Sequence, residues 1–461
     1  LILPLAMPAY IIAYTYTGML DVTGPVQGFI RETFDLRFGD YWFPQVRSLG
    51  GAIVMLALVL YPYVYLLSRM AFLEQSVCVL EVSRTLGASP WRSFSRVAVP
   101  LARPAIVAGL ALVLMETLAD YGTVQYFGLS TFTTGIFRTW FGMGSSTAAA
   151  QLSAVLMLFI LVLIVTEQWS RNKARFHHTS SKYSQLHPKR LAGWQSVAAM
   201  LFCVLPVLCG FLIPFLQLSW WAWDTRELVN FGDFSNLLYN SLRLALVAAL
   251  ITLVLGLGIS YAKRLQPGMP MRTAVRVLSL GYAIPGTVIA VGVLIPFTFF
   301  DNTLDGWMRG QFDFSTGLLL SGTLGAVMFA YTVRFLPVSM NTLDAGLGKI
   351  KPTMDDVGRS MGLGNWQMLR RVHIPMLRGS LLTAALLVFV DVLKELPATL
   401  ILRPFNFNTL AIRTYELANQ ERLTEAAASA LMIVLAGIIP VIIISLSISA
   451  SRPGHDSRIA D

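Results

Sequence analysis

Ten apolar runs, at about 3–19, 47–68, 104–120, 149–167, 195–218, 239–262, 275–298, 317–340, 378–398 and 428–449, divide this chain into segments long enough to cross a bilayer. Lipid offers no partner to a backbone N–H or C=O, so a spanning segment must be a helix or part of a closed barrel. Runs of this length predict an all-α integral membrane fold of about ten helices. Composition agrees: 55% hydrophobic and 13% charged residues among 461 would leave a soluble globule with too much apolar surface. The net charge of +10 could suggest a nucleic-acid partner. The bases sit instead in short connectors between apolar runs, which points to orientation in a membrane and to lipid as the surrounding partner, with no nucleic acid.

Between the fourth and fifth runs lie Arg171, Lys173, Arg175, Lys182, Lys189 and Arg190, with no acid from 168 to 194. The excess of positive charge on inner loops assigns this linker to the cytoplasm. Counting spans from there places Lys263, Arg264, Arg272 and Arg276 inside as well. The segments with Asp224, Glu227 and Asp233, and with Asp301, Asp305 and Asp313, fall outside. Cys78, Cys203 and Cys209 have no metal-site spacing and imply no disulfide framework.

A second constraint is an internal repeat. Glu81–Arg103 (EVSRTLGASPWRSFSRVAVPLAR) and Asp356–Arg378 (DVGRSMGLGNWQMLRRVHIPMLR) align at an offset of 356 − 81 = 275 residues. Val82, Arg84, Gly87, Trp91, Arg96, Val97, Pro100 and Arg103 recur as Val357, Arg359, Gly362, Trp366, Arg371, Val372, Pro375 and Arg378. Each copy predicts a helix, a break at Gly87 or Gly362 with positive φ, and re-entry at Pro90 or Asn365. The product is a short amphipathic hairpin, with Pro100 and Pro375 where the chain turns into the next span. Equivalent loops on one side of the membrane require a parallel repeat. The halves are therefore 1–167 and 195–450, joined by the linker 168–194 and followed by a tail, 451–461. Pro285 in YAIPGTVIAVGVL aligns with Pro8 in LAMPAYIIAYTY; two spans precede Pro285 and none precede Pro8. The alignment thus predicts roughly 80 to 100 further residues before Leu1 and six plus six helices, twelve in all.

The spacing of acid, glycine, two aliphatics and proline resembles the EAA loop of ABC importer permeases. It is carried by Glu81, Gly87, Val97, Val99 and Pro100, and by Asp356, Gly362, Val372, Ile374 and Pro375. The resemblance implies the type I importer fold and a short coupling helix, including Trp91 or Trp366, that fits a groove on each of two ATPase subunits. The alanines that name the motif are replaced by Val82 and Ser83 and by Val357 and Gly358, and the second acid is Asp356, which leaves room for unequal contacts. No GxxxxGK[ST] loop occurs, and GLGKIK at 346–351 lacks its spacing. ATP and Mg are thus expected on the partner ATPase, with no cofactor bound by this chain and no catalytic residue of its own. There is no HExxH, and His177 and His178 read as solvated.

After each module comes an acidic stretch: ETLADYGTVQYFG from Glu116 and DVLKELPATLILRPF from Asp391. At the same offset Glu116 pairs with Asp391 and Asp120 with Glu395. At about 1.5 Å per residue, Glu116 lies well over halfway across the bilayer, where acids usually face a pathway or a partner. Two readings stand side by side. Lys394 could neutralise Glu395 or Asp391, and Arg138 and Arg413 could pair with acids at the rim, which is a purely structural role. Alternatively Glu116, Asp120, Tyr121, Asp391 and Glu395 line a path for a hard cation, which carboxylates suit; no residue is firmly assigned as a metal ligand. ADYGTVQYFG with TFTTGIF, and KELPATL with LRPFNFNTLAIRTYELA, resemble fused ferric-iron ABC permeases. That likeness covers essentially the whole chain and implies a periplasmic iron-binding protein, docking on 121–148 and 399–427, and residence in a bacterial inner membrane. Thiamine, polyamine or another small solute remains open as cargo. An ion-coupled secondary transporter or channel remains the competing class.

Overall fold

The computed structural model describes residues 1–75, 82, 83, 85–172 and 191–450. Glu81, Arg84 and Cys78 lie outside the described residues, as do 173–190 of the linker and the tail 451–461. Every regular element among the described residues is helical. Among the described residues, seven helices are long and apolar enough to cross a membrane: Leu49–Phe72, Pro90–Ala119, Ser146–Trp169, Trp194–Asp224, Phe231–Leu265, Gly286–Phe312 and Leu423–Ile443. Asn365–Met376 with Arg378–Leu393 is an eighth if its two parts, bent by 77°, count as one span.

Three of the sequence-derived spans are placed differently. The run at 3–19 is a 3-10 turn, Leu3–Ala6, and a twelve-residue helix, α1 (Ala9–Leu20), because Pro8 is held extended between them. The run at 275–298 is split by Pro285 in the same way: Met269–Ser279 stands apart, and the span proper starts at Gly286. The run at 317–340 becomes Leu324–Gly348, a long helix that carries Arg334, Asn341 and Asp344 among many buried residues.

The chain divides into two compact units. Of the described residues, the first takes in those within 1–129, 157–172, 191–217 and 441–450. In it α2 (Leu49–Glu74) packs along α3 (Val99–Ala119), which leads into the short α4 (Gly122–Tyr126). Gly109 is the point of closest approach: a Cβ there would lie 2.8 Å from the Cα of Val64. In lipid, where burial of apolar surface drives little, such small-residue contacts supply the packing between helices. Tyr10, Tyr14 and Tyr126 form an aromatic cluster in the same unit, with the Tyr14 and Tyr126 rings edge to face at 4.5 Å.

The second unit comprises 130–156 and 218–440. Its centre is α5 (Phe231–Leu265), packed against α7 (Leu324–Gly348) and α9 (Arg378–Leu393), with α6 (Gly286–Phe312) against α7 and against α10 (Pro397–Leu402). Ala245, Ala248 and Ala249 of α5 meet Ala326, Val327, Ala330 and Tyr331 of α7 and Val388 and Val392 of α9 in one core. Alanine at the crossings allows the axes to approach closely. In the second half of α6 the fully buried Asp301 accepts the N–H groups of Leu320 and Ser321, the latter at 2.7 Å, so this acid secures the 313–323 connector.

Replacing Gly109 with Val should push α2 from α3 at a cost of about 1–3 kcal/mol. A lowered melting temperature of the detergent-solubilised protein is expected; an unchanged value would refute the close crossing.

Candidate functional site: paired loop modules and intramembrane acids

The two repeated modules share one backbone design. Gly87 has φ +81° and Gly362 φ +78°, the left-handed conformation that glycine adopts without strain. In each, the amide after the glycine returns to a carbonyl five residues back: Ala88 to Ser83 at 3.1 Å, Leu363 to Gly358 at 3.0 Å. This closure satisfies carbonyls that the ended helix leaves without partners. The next helix starts at Pro90 in one copy and Asn365 in the other, as the sequence indicated. The Ser89 hydroxyl accepts from Arg92 N–H in the first, and the Gln367 side chain accepts from Gly364 N–H in the second. A π-helical segment follows in both, Phe94–Ala98 and Leu369–His373, at the same offset and just ahead of Pro100 and Pro375. A proline supplies no N–H, and the wider π turn is a known way for a helix to absorb that break.

Side-chain placement repeats too. Trp91 and Trp366 are exposed, at 74% and 69%, Val97 and Val372 are half-buried, and Pro100 and Pro375 are exposed. Asp356 is exposed and only 3.9 Å from Arg359; its counterpart Glu81 lies outside the described residues. The copies diverge where their two helices cross. The Ser83 and Ser93 hydroxyls share a buried 2.6 Å hydrogen bond, whereas the aligned pair is Gly358 and Met368. A Cβ on Gly358 would sit 1.8 Å from Met368 Cε, so the methionine fills the space that the glycine leaves. They also differ beyond the proline: Pro90–Ala119 is one unbroken helical stretch, while the second copy bends by 77° around Leu377.

The five intramembrane candidates separate into two kinds. Asp120 directly precedes the N-cap of α4 and accepts from Thr123 Oγ1 at 3.0 Å and Val124 N–H at 3.1 Å. Glu395 stands in the same place before α10, accepting from Ala398 N–H at 2.9 Å, Thr399 N–H at 3.1 Å and Thr399 Oγ1 at 2.5 Å. Both carboxylates thus satisfy amides at a helix start, which is a structural duty. Tyr121, 1% exposed, is buried beside Asp120. Glu116 is half-buried and forms no hydrogen bond or ion pair among the described residues. Asp391 is paired with Lys394 at 2.8 Å. One of the two pairings weighed for Lys394 is therefore present. Neither Arg138 nor Arg413 pairs with an acid among the described residues; Arg403 pairs with Glu416 at 2.9 Å.

Sequence reasoning missed two clusters in the second unit. Arg334 of α7 lies 3.6 Å from Glu395, and Tyr331, one turn earlier, bonds to Thr399 Oγ1 at 2.5 Å. Gly286 opens α6 against both charges, since a Cβ there would be 2.3 Å from Arg334 Nη1 and 2.7 Å from Glu395 Oε1. The other cluster is Arg264, Asp355 and His373 beside the second module. Among the described residues no group of three or more His, Cys, Asp or Glu is placed to hold a metal ion.

The model of the binding-protein-dependent transport system inner membrane component family matches residues 1–171 and 254–461. The chain belongs to that family. This inner membrane component is thus a multi-pass membrane protein with the type I transmembrane fold. It is 27% identical over 96% of its length to the Fe(3+)-transport system permease protein FbpB 2 of Haemophilus influenzae, covering 80% of that protein. It is 23% identical over 87% of its length to the putative ferric transport system permease protein FbpB 1 of the same organism, covering 63% of that protein. It is also 27% identical over 58% of its length to the putative 2-aminoethylphosphonate transport system permease protein PhnV of Salmonella typhimurium, covering 98% of that protein.

In this inner membrane component the Glu395 cap engages two amides, a hydroxyl and the Arg334 guanidinium. Glu395→Ala would strand two amides and the Arg334 charge, costing about 3–5 kcal/mol, whereas Glu395→Gln keeps an acceptor. The yield of monodisperse detergent-extracted protein should fall sharply for the first and mildly for the second. Parent-like yield and melting temperature for Glu395→Ala would contradict the capping role.

Proposed function

We propose that this chain is the permease subunit of an ATP-driven importer that takes up ferric iron from a periplasmic binding protein. The observation that carries the reading is the pair of modules: two identical glycine turns and π segments at a 275-residue offset, each presenting an exposed tryptophan. Two such surfaces suit a partner present in two copies, namely an ATPase subunit that binds ATP and Mg and carries out the hydrolysis. The positive-inside bias puts the modules, the linker 168–194 and the tail on the cytoplasmic side. On that reading the 121–148 and 399–427 connectors meet the binding protein on the opposite side.

The ferric cargo is supported by the name of the relative that aligns along 96% of the chain, and by carboxylates matching a hard trivalent ion. Glu116 is the acid assigned to transit, because it forms no hydrogen bond or ion pair among the described residues; Asp391 is its counterpart at the repeat offset, paired with Lys394. Asp120, Tyr121 and Glu395 shape the helix breaks around them. ATPase closure would draw the two modules together and reorient the pore between its inward and outward states.

A second reading keeps the architecture and changes the cargo. The likeness to a 2-aminoethylphosphonate permease covers just over half of the chain, 58%, and a small organic solute such as thiamine or a polyamine would use the same modules. Uptake of radiolabelled ferric iron and of thiamine, in cells lacking the full-length gene and in restored cells, separates the two. Iron uptake that falls and returns with the gene is expected; iron uptake unchanged with thiamine uptake lost would overturn the cargo. With iron as cargo, Glu116→Gln combined with Asp391→Asn should reduce uptake roughly tenfold, the scale of one charge-assisted contact. Normal iron uptake in that double variant would remove both acids from the path.

Replacing Gly87 or Gly362 with Val imposes positive φ on a β-branched residue, a strain of about 1–2 kcal/mol. Binding-protein-stimulated ATP hydrolysis without matching uptake is expected. Hydrolysis and uptake that remain coupled at the parent ratio would refute the role of the turns.

A further inference from the structure

The second module is tied to the end of α5 at several points, by side chains that do not recur at the aligned positions of the first module. Arg264 uses every nitrogen of its guanidinium: Nε donates to Asp355 Oδ2 at 2.8 Å, Nη1 to the Leu347 carbonyl at 2.6 Å and Nη2 to the Ile350 carbonyl at 3.0 Å. The other carboxylate oxygen, Asp355 Oδ1, accepts from His373 Nε2 at 2.8 Å. Tyr261, one turn before Arg264, donates to the Asn365 carbonyl at 2.8 Å, and its ring meets His373 edge-on at 5.5 Å. Asp355 lies on the module's first helix, α8 (Pro352–Ser360), Asn365 opens its second, and His373 closes its π segment. All three parts of the hairpin are therefore tied into one network with α5 and the end of α7.

The network is largely dry. The side chains of Arg264, Asp355 and His373 are 15%, 17% and 1% exposed. Burial disfavours the charge on Asp355, but the hydrogen bonds from Arg264 and His373 outweigh it and hold the carboxyl below the usual carboxylate range. A bidentate carboxylate between two fixed donors is among the more directional contacts a protein makes. At the repeat offset Asp355 and His373 align with Leu80 and Ala98, so the acid and the imidazole of this clamp are not repeated at the aligned positions.

We propose that Arg264, Asp355 and His373 are positioning residues for coupling: they lock the second module to α5 and α7, so that displacement of the hairpin moves those helices as one body. The inference rests on the importer reading above and gives the second module a hold that the aligned residues Leu80 and Ala98 do not reproduce in the first. Hydrogen-bond and ion-pair networks between rigid elements are one physical carrier of coupling between distant sites.

The test uses the complete transporter, with its ATPase and binding protein, in proteoliposomes. Asp355→Asn removes the charge, and Arg264→Lys keeps the charge but loses the fork. Each should lower solute taken up per ATP hydrolysed by roughly tenfold, the scale of one charge-assisted hydrogen bond, and Asp355→Glu should restore part of the ratio. A nitroxide on Met361→Cys, an exposed position on the hairpin, in a background with Cys78, Cys203 and Cys209 replaced, reports the same event without transport. Its spectrum should sharpen in Asp355→Asn and in Arg264→Lys as the module loosens. A parent-like ratio together with a parent-like spectrum in both variants would overturn the clamp. If the parent transporter performs no ATP-driven uptake, the functional reading falls, and the nitroxide spectrum alone decides the clamp.

Discussion

A break in a helix that lies within a bilayer exposes amides and carbonyls to a solvent that cannot bond them, and that cost governs where this chain is allowed to bend. Each interruption among the described residues that bears on the site comes with its own remedy. Asp120 and Glu395 take up the first amides of α4 and α10. The loop modules, which the proposed orientation puts in water, are closed in the same local way: the amides after Gly87 and Gly362 bond to carbonyls five residues back, and π segments lead into Pro100 and Pro375. The irregular stretches are therefore paid for locally. They occur at equivalent places in the two halves because the remedy was duplicated along with the break.

This economy explains why acids at membrane depth divide into two kinds. A carboxylate engaged by two amides and a hydroxyl, as Glu395 is, has few lone pairs left for any further partner. Glu116 carries none of these obligations among the described residues. Its symmetry mate Asp391 is already matched to Lys394, for which the first half has Ala119. The aligned acids of the two halves are therefore not equivalent, and the difference is one of available lone pairs.

Much of the hairpin design was legible in the sequence, because it depends on local rules. Glycine at the turn, Pro90 and Asn365 at re-entry and proline at the next bend each act through their own backbone, and the repeat multiplied the signal. The capping role of Asp120 and Glu395 was less visible. Their depth suggested a pathway, although the Thr three residues after Asp120 is the spacing of a helix-start bond and could have been read that way. The Arg264–Asp355–His373 cluster could not be read at all, since it joins positions 91 and 18 residues apart with no period that marks them. The span at 275–298 was misplaced because hydropathy averages across Pro285, which the backbone does not.

The exchange of Ser83 and Ser93 for Gly358 and Met368 has a consequence for how the two halves can diverge. At each helix crossing the occupants are matched in volume and polarity as a couple, a hydroxyl with a hydroxyl or a void with a thioether. Transplanting a single member, such as Met368 opposite Ser83 or Ser93 opposite Gly358, would overfill one crossing and hollow the other. Drift after duplication is therefore confined to paired replacements, and a chimaera of the halves would have to exchange whole hairpins.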